Sequence, residues 1–239
     1  MLRKKIALFS DIHGNYQVLK SIFDDINETT FDEVICLGDF IGIGPESSLC
    51  LDNIINSNIK MVLGNHELYQ IRGTDIDNLT EEVIKHEEWI KSTLREDQIS
   101  YLEKCPLSLE ILEKGRLFSF AHFLLGKEEN NYPFLPLSIV NDSMINKYLE
   151  EVSSEYYFFG HEHNSFEIKN NNQSFYCIGS SGCNKNNVTF YTVLEIYDDF
   201  IKVYKKYIKY DRKKFEKTIK SVDYPNKNQI AESFFGIEM

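Results

Sequence analysis

The chain is poor in cysteine, proline, glycine and tryptophan, and these scarcities exclude whole classes of protein. Its five cysteines are an odd number, and none falls in a Cys-x-x-Cys pair. That argues against a disulfide framework and against a thiolate zinc site. Gly 12 and Pro 5 exclude collagen-like and low-complexity chains. Positive charge is also short: Lys+Arg 26 against Asp+Glu 37 gives a net charge of −11, with five arginines in all. Sequence-independent binding of nucleic acid or of an anionic membrane surface runs on Lys and Arg, so neither partner is expected. No apolar run approaches the ~18 residues of a membrane span, and residues 6–9 are too few for a signal-peptide core. A cytoplasmic location is the expectation.

What is present points to a packed α/β domain. Hydrophobic residues make up 42% and aromatics 13% of the 239 residues, which excludes disorder. Residues 6–9 form a wholly apolar strand, and Val18, Leu19, Ile22, Phe23 and Ile26 follow at helical spacing. A strand at 34–37, a helix at 46–56 opened by Pro45, and a strand at 60–63 continue the alternation. Such an order predicts parallel strands with right-handed crossovers. Residues 68–105 read as a helical insertion, with Asn78 as a cap and Val83, Ile90 and Leu94 as one stripe. Seven strands are predicted after it, at 107–112, 116–121, 156–159, 166–169, 175–178, 188–196 and 200–207, with a helix at 138–151. This second sheet is expected to be mostly antiparallel. A helical tail at about 211–236 closes a single domain of residues 1–239.

The chemistry is carried by where the histidines fall. Of six, His13, His66, His122, His161 and His163 lie just beyond predicted strands. Strand ends run into Asp11-Ile12-His13, Gly38-Asp39, Gly64-Asn65-His66-Glu67, Ala121-His122 and Gly160-His161-Glu162-His163. Open α/β sheets bind ligands outside the carboxyl ends of their strands. Each motif alone has a bland reading: a turn, a helix cap or a packed histidine. Together they gather Asp, Asn and His, all metal-ligand types, on one sheet edge. His86 reads as a structural residue of the insertion helix, and the cysteines as small core residues.

These motifs, in this order, resemble those of the calcineurin-like metallophosphoesterases, and Ile178-Gly179-Ser180-Ser181-Gly182 is similar to the turn that follows them in small bacterial phosphodiesterases. The resemblance covers about residues 5–236. It implies an α/β fold, a four-layer αββα sandwich of two mixed sheets flanked by helices, with a dinuclear metal site at the strand C-terminal edge. It places Asp11, His13, Asp39 and His163 on one ion, and Asp39, Asn65, His122 and His161 on the other. Asp39 bridges. His66 would protonate the leaving group, and Glu67 would orient His66 or lie on the surface. The mixed imidazole and oxygen donors suit two divalent transition ions, manganese, iron, zinc or nickel, with manganese or iron favoured.

Three departures shape the expected substrate. Phe123 follows His122 where the family usually has glycine, so the loop to Pro136 shapes the pocket differently. The run Gly38-Asp39-Phe-Ile-Gly-Ile-Gly-Pro45 lacks the arginine of the protein-phosphatase branch. Arg72 and Lys185 are left as candidate phosphate contacts, against an ordinary solvated role. The reading is a phosphoesterase for small phosphodiester or nucleotide-type substrates. The alternatives are a phosphomonoesterase or protein Ser/Thr phosphatase-like activity, and a non-catalytic scaffold on the same fold.

Overall fold

Ile6, Ala7, Leu8 and Phe9 are all fully buried, because the strand that carries them is covered on both faces. Ala7 and Phe9 join a cluster with the helices, while Ile6 and Leu8 join a second cluster between two sheets. That alternation follows from the two-residue period of a strand. The structure is a computed structural model, and it describes residues 1–74, 79–123, 152–170 and 172–239.

The described strands are β1 (Leu2–Phe9), β2 (Glu33–Cys36), β3 (Lys60–Met61), β4 (Ser108–Glu113), β5 (Arg116–Ala121), β6 (Tyr156–Phe159), β7 (Phe166–Asn170), β8 (Gln173–Cys177), β9 (Val188–Tyr197) and β10 (Ile201–Lys209). They form two five-stranded sheets, in the orders β10-β9-β1-β2-β3 and β4-β5-β6-β8-β7. The first sheet is parallel through β1, β2 and β3 only, since β9 and β10 add on antiparallel. Pairing with β9 also extends β1 back to Leu2, beyond its apolar core. The second sheet is not mostly antiparallel, as the sequence had suggested. It has two parallel pairings, β5·β6 and β6·β8, between two antiparallel ones. The chain between β5 and β6 is long enough for a crossover, which permits the parallel arrangement.

The two sheets pack through Ile6, Leu8, Ile35 and Leu37 on one side and Phe118, Phe120 and Phe158 on the other. Helices flank this pair of mixed sheets, giving the αββα sandwich. On the first sheet's outer face lie α1 (Tyr16–Asn27), α2 (Ser47–Ile55), α6 (Arg212–Ser221) and α7 (Lys227–Phe235), which share its apolar cluster. The predicted insertion resolves into α3 (Asn65–Arg72), α4 (Glu81–Thr93) and α5 (Glu96–Leu102). It begins earlier than position 68, because Asn65 and His66 already form the first turn of α3. The residue before α4 is Thr80; Asn78, the helix expected at 138–151 and most of the loop at 123–136 lie outside the described residues. Among the described residues, no helix is long and apolar enough to cross a membrane.

Candidate metal centre

The loops after β1 and β2 hold each other in an unusual conformation. Asp11, His13 and Asp39 sit at φ of 53°, 49° and 50°, and Ile43 at 53°. Left-handed backbone costs such residues on the order of 1–3 kcal/mol each, and persists only where the surroundings enforce it. Here Asp11 N donates to Gly38 O at 3.0 Å, His13 N to Asp39 O at 2.9 Å and Gly14 N to Phe40 O at 3.0 Å. The turn after β8 braces the first loop: Ser181 N donates to Ser10 O and Gly182 N to Asp11 O, both at 2.9 Å. Asn15 caps α1 by accepting from Val18 N, and its amide donates to Gly182 O at 2.9 Å.

Glu67 does neither of the jobs suggested by sequence. It is fully buried, and its carboxylate accepts from the backbone N–H groups of Asp39 (2.8 Å), Phe40 (3.1 Å), Ile41 (3.2 Å) and Gly64 (2.7 Å). Burial, reinforced by the Asp39 charge, pushes its carboxyl up to about 7 against the pull of those donors. Glu67 therefore folds the Asp39 loop. Gly64 lets that loop come close, since a Cβ there would stand 2.1 Å from Asp39 Oδ1.

The predicted ligand residues converge. His13 Nε2 lies 3.1 Å from His163 Nε2, 3.7 Å from Asp11 Oδ1 and 3.9 Å from Asp39 Oδ2. His122 Nε2 lies 3.1 Å from Asp39 Oδ2 and 3.2 Å from Asn65 Oδ1. Asp39, His122 and His161 place donor atoms within 4.8 Å of one another. His161 N donates to Asp11 Oδ2 at 3.2 Å, which leaves Asp11 Oδ1 buried without a hydrogen-bond partner. Rings are fixed from behind, with His122 Nδ1 2.6 Å from Leu37 O and His13 Nδ1 3.3 Å from Ile41 O. Such backing sets the tautomer and turns Nε2 toward the cluster.

The charges suit cation binding. Burial opposes ionisation of Asp11 and Asp39, but the surrounding histidines outweigh it; Asp11 is held at about 2 and Asp39 well below the usual range. Burial, with His122 alongside, lowers His161 to about 3; burial, with His13 alongside, lowers His163 to about 4. Both rings are thus neutral, the form that ligates. At His122 burial is outweighed by Asp39 and Asp11, which raise the ring to about 9, so a cation bound there would replace that proton. Ionised carboxylates, the neutral His161 and His163 rings and an orphaned buried oxygen fit a divalent transition ion.

His66 stands at the edge of this cluster. It lies within 4.8 Å of His13 and Asp39 by its nearest donor atoms, and its Nδ1 is 2.6 Å from Glu87 Oε1 on α4. Gln70 Nε2 donates to the other Glu87 oxygen at 2.7 Å. Burial opposes a charge on His66, but Glu87 and Asp39 outweigh it and raise the ring to about 10. Gly42, at φ 83°, leaves room for the ring: a Cβ would come within 2.3 Å of His66 Nδ1. Glu87 and Gln70 were not legible as site residues. The signal was a buried pair of hydrogen-bonding side chains on helices that sequence spacing alone does not dock.

Two other readings hold and gain a neighbour, since Cys183 does pack against the core cluster and His86 is structural. Cys183, read as a core residue, puts its sulfur within 4.8 Å of ring nitrogens of His13 and His163. His86 is structural as read, with Nδ1 3.1 Å from Pro225 O and its ring beside Trp89 and Tyr224, but it also lines a cavity of about 490 Å³ next to His66. Neither Arg72, in the last turn of α3, nor Lys185, whose stem lies by Gly236, is among the described residues lining that cavity. A larger cavity of about 700 Å³ lies at the opposite end of β2, near Asp32 and Glu33, away from these residues.

An αββα sandwich with a histidine–carboxylate cluster at its strand ends defines a class of metal-binding hydrolases. Within it, the chain belongs to the calcineurin-like phosphoesterase family, whose model matches residues 4–165, a family that acts on phosphoric esters. It is 29% identical over 122 residues to an uncharacterized protein of Methanocaldococcus jannaschii, covering 51% of this chain and 50% of that one. It is 47% identical over 64 residues to the symmetrical bis(5'-nucleosyl)-tetraphosphatase of Wigglesworthia glossinidia brevipalpis, covering 26% of this chain and 24% of that one. The chain thus spans half or less of these two relatives. Its fold is similar to that of a hypothetical protein from Pyrococcus horikoshii OT3, at TM-score 0.75 and 17% identity, covering 98% of this chain and 99% of that one.

Proposed function

We propose that the protein is a dinuclear metal-dependent phosphoesterase that hydrolyses small phosphodiester or nucleotide-type substrates. Asp11, His13, Asp39 and His163 would hold one ion, and Asp39, Asn65, His122 and His161 the other. The observation that carries this reading is the convergence of these side chains from five strand ends, around an Asp11 oxygen that has no other partner. When bound, the ions supply Lewis acidity at phosphoryl oxygens and lower the pKa of water.

The chain's own residues do the rest. His66 holds a proton beside the cluster, and Glu87 fixes Nδ1, so the proton is delivered from Nε2. The phosphorus–oxygen bond to the leaving alcohol breaks, and that alcohol's oxygen takes the His66 proton. The water that forms the new phosphorus–oxygen bond releases a proton, which restores His66. Phosphoproteins are disfavoured as substrates, because no arginine lies in residues 38–45 and the net charge is −11.

The test is elemental analysis with activity. Protein loaded with manganese or iron is expected to carry about two ions per chain, following the two-site logic. Asp39→Ala should lose or greatly weaken both and abolish hydrolysis of bis(4-nitrophenyl) phosphate. Saturation at one ion, or full metal content in Asp39→Ala, overturns the shared site.

A further inference from the structure

We propose that the cavity between α4 and α7 receives the leaving group of the substrate, and that this leaving group is an uncharged nucleoside. The inference rests on His66 being the proton donor, as above. His66 and Asn65 line both the metal cluster and this cavity, so a group bound there presents its oxygen on the donor's side.

The walls select against charge. Ile43, Leu79, Val83, Ile230 and Phe234 supply apolar surface. Among the described lining residues there is no lysine or arginine, and Glu87 is the one carboxylate. A leaving group carrying further phosphates would be desolvated beside Glu87, where the one positive group, the His66 ring, is already paired with that carboxylate. The cavity therefore does not suit a polyphosphate chain, unlike the substrate named for the Wigglesworthia relative.

His86 supplies the second selection. It is 4% exposed, and its Nδ1 faces the Pro225 carbonyl, which can only accept; Nδ1 therefore carries the hydrogen. Nε2 is then an acceptor, buried and without a hydrogen-bond partner, so a donor on a ligand reaches it when the side chains covering it shift aside. Burial lowers the pKa of His86, which keeps the ring neutral. A buried acceptor without a donor is costly, on the order of 1–3 kcal/mol. A nucleobase offers a flat face to the apolar walls and an exocyclic amino group as the donor. Asn226, Gln229 and Ser233 on the α7 side add polar groups for ribose hydroxyls.

The experiment uses the manganese-loaded full chain. Adenylyl-(3′→5′)-adenosine and bis(5′-adenosyl) tetraphosphate carry the same bases, but only the first releases an uncharged nucleoside. Glycerylphosphorylglycerol releases an uncharged alcohol without a ring. We expect kcat/KM for the dinucleoside monophosphate to exceed both others by at least about tenfold, or 1.4 kcal/mol. Ser233→Lys, an exposed change at the rim, should narrow the gap to the tetraphosphate at least about threefold. Binding is read separately from fluorescence of Trp89, the only tryptophan, whose ring lies 5.7 Å from His86. Adenosine should quench it saturably, and more weakly by about tenfold in Val83→Phe. Purine riboside, which lacks the amino group, should bind correspondingly less well. Turnover of bis(4-nitrophenyl) phosphate with no adenosine binding, or with a preference for the tetraphosphate, overturns this proposal alone. Equal binding of adenosine and purine riboside removes His86 from it. Failure to hydrolyse any diester overturns the catalytic reading itself.

Discussion

His66 Nδ1 lies 2.6 Å from Glu87 Oε1, a contact between the first turn of α3 and the buried face of α4. Glu87 is 2% exposed and is held in turn by Gln70. A carboxylate that fixes a ring through a hydrogen bond sets its orientation, and loss of such a partner typically costs ~10–100-fold in activity. Glu87→Gln is expected to lower kcat/KM by that amount for an alkyl leaving group, and by less for nitrophenolate. In the His66→Ala background the same change should add nothing further, because both residues act through one proton. Additive losses would show that Glu87 acts on the fold and not through His66.

His66 itself should be separable from the metal cluster. His66→Ala is expected to keep its metal content while turnover of a substrate with a poor leaving group falls ~10²–10⁴-fold. Nitrophenolate departs without a proton, so its ester should lose less. Comparable losses on both substrates would point to substrate positioning instead of proton donation.

The strand ends were legible because each combines a short apolar run with a chemically conspicuous turn. Residues 6–9 with Asp11 and His13, and β5 with His122, show both signals within a few positions. Sheet pairing was less legible. Nothing local in β9 tells it to lie antiparallel to β1 or β6 to lie parallel to β8, since those choices depend on where connections cross. The roles of glutamates were illegible for the same reason. Glu67 sits beside His66 in sequence, but the helical turn sends its side chain under the Asp39 loop. Glu87 is 21 positions away and reaches His66 because α3 and α4 pack together. Cys183 packs against the core as expected, but its proximity to His13 and His163 was illegible, because it arises only when the turn after β8 docks on the first loop.

Glu67→Gln tests how the Asp39 loop is held. The substitution keeps the shape but replaces one acceptor oxygen by a donor, which then faces backbone N–H groups. An unsatisfied buried group costs about 1–3 kcal/mol, and more where a charge is lost. Urea denaturation of the metal-free protein should therefore show a loss of at least that size. Metal affinity should fall as well, since Asp39 is no longer pinned at positive φ. Unchanged stability in the metal-free protein would mean that the loop holds its shape without Glu67.

Arg212 is expected to control the wall of the cavity beside His66. Its Nη1 donates to Asn184 O at 2.9 Å and its Nη2 to Phe235 O at 2.8 Å, while Nε pairs with Glu216 at 2.8 Å. The guanidinium thus ties the end of α7 to the turn that follows β8. Its side chain is 13% exposed, so these bonds are largely shielded, and a hydrogen bond to a charged group contributes about 1.5–3 kcal/mol. Arg212→Ala removes the tie without touching the metal cluster. Amides of residues 227–235 should then exchange at least about tenfold faster, an opening easier by 1.4 kcal/mol, while those of β1 and β9 stay protected. Metal content should be retained. Arg212→Lys should recover only part of the protection, because an ammonium cannot reproduce the fork that spans two carbonyls. Uniformly faster exchange across α7, β1 and β9 would show global destabilisation in place of local release, and would remove Arg212 from the account of the cavity.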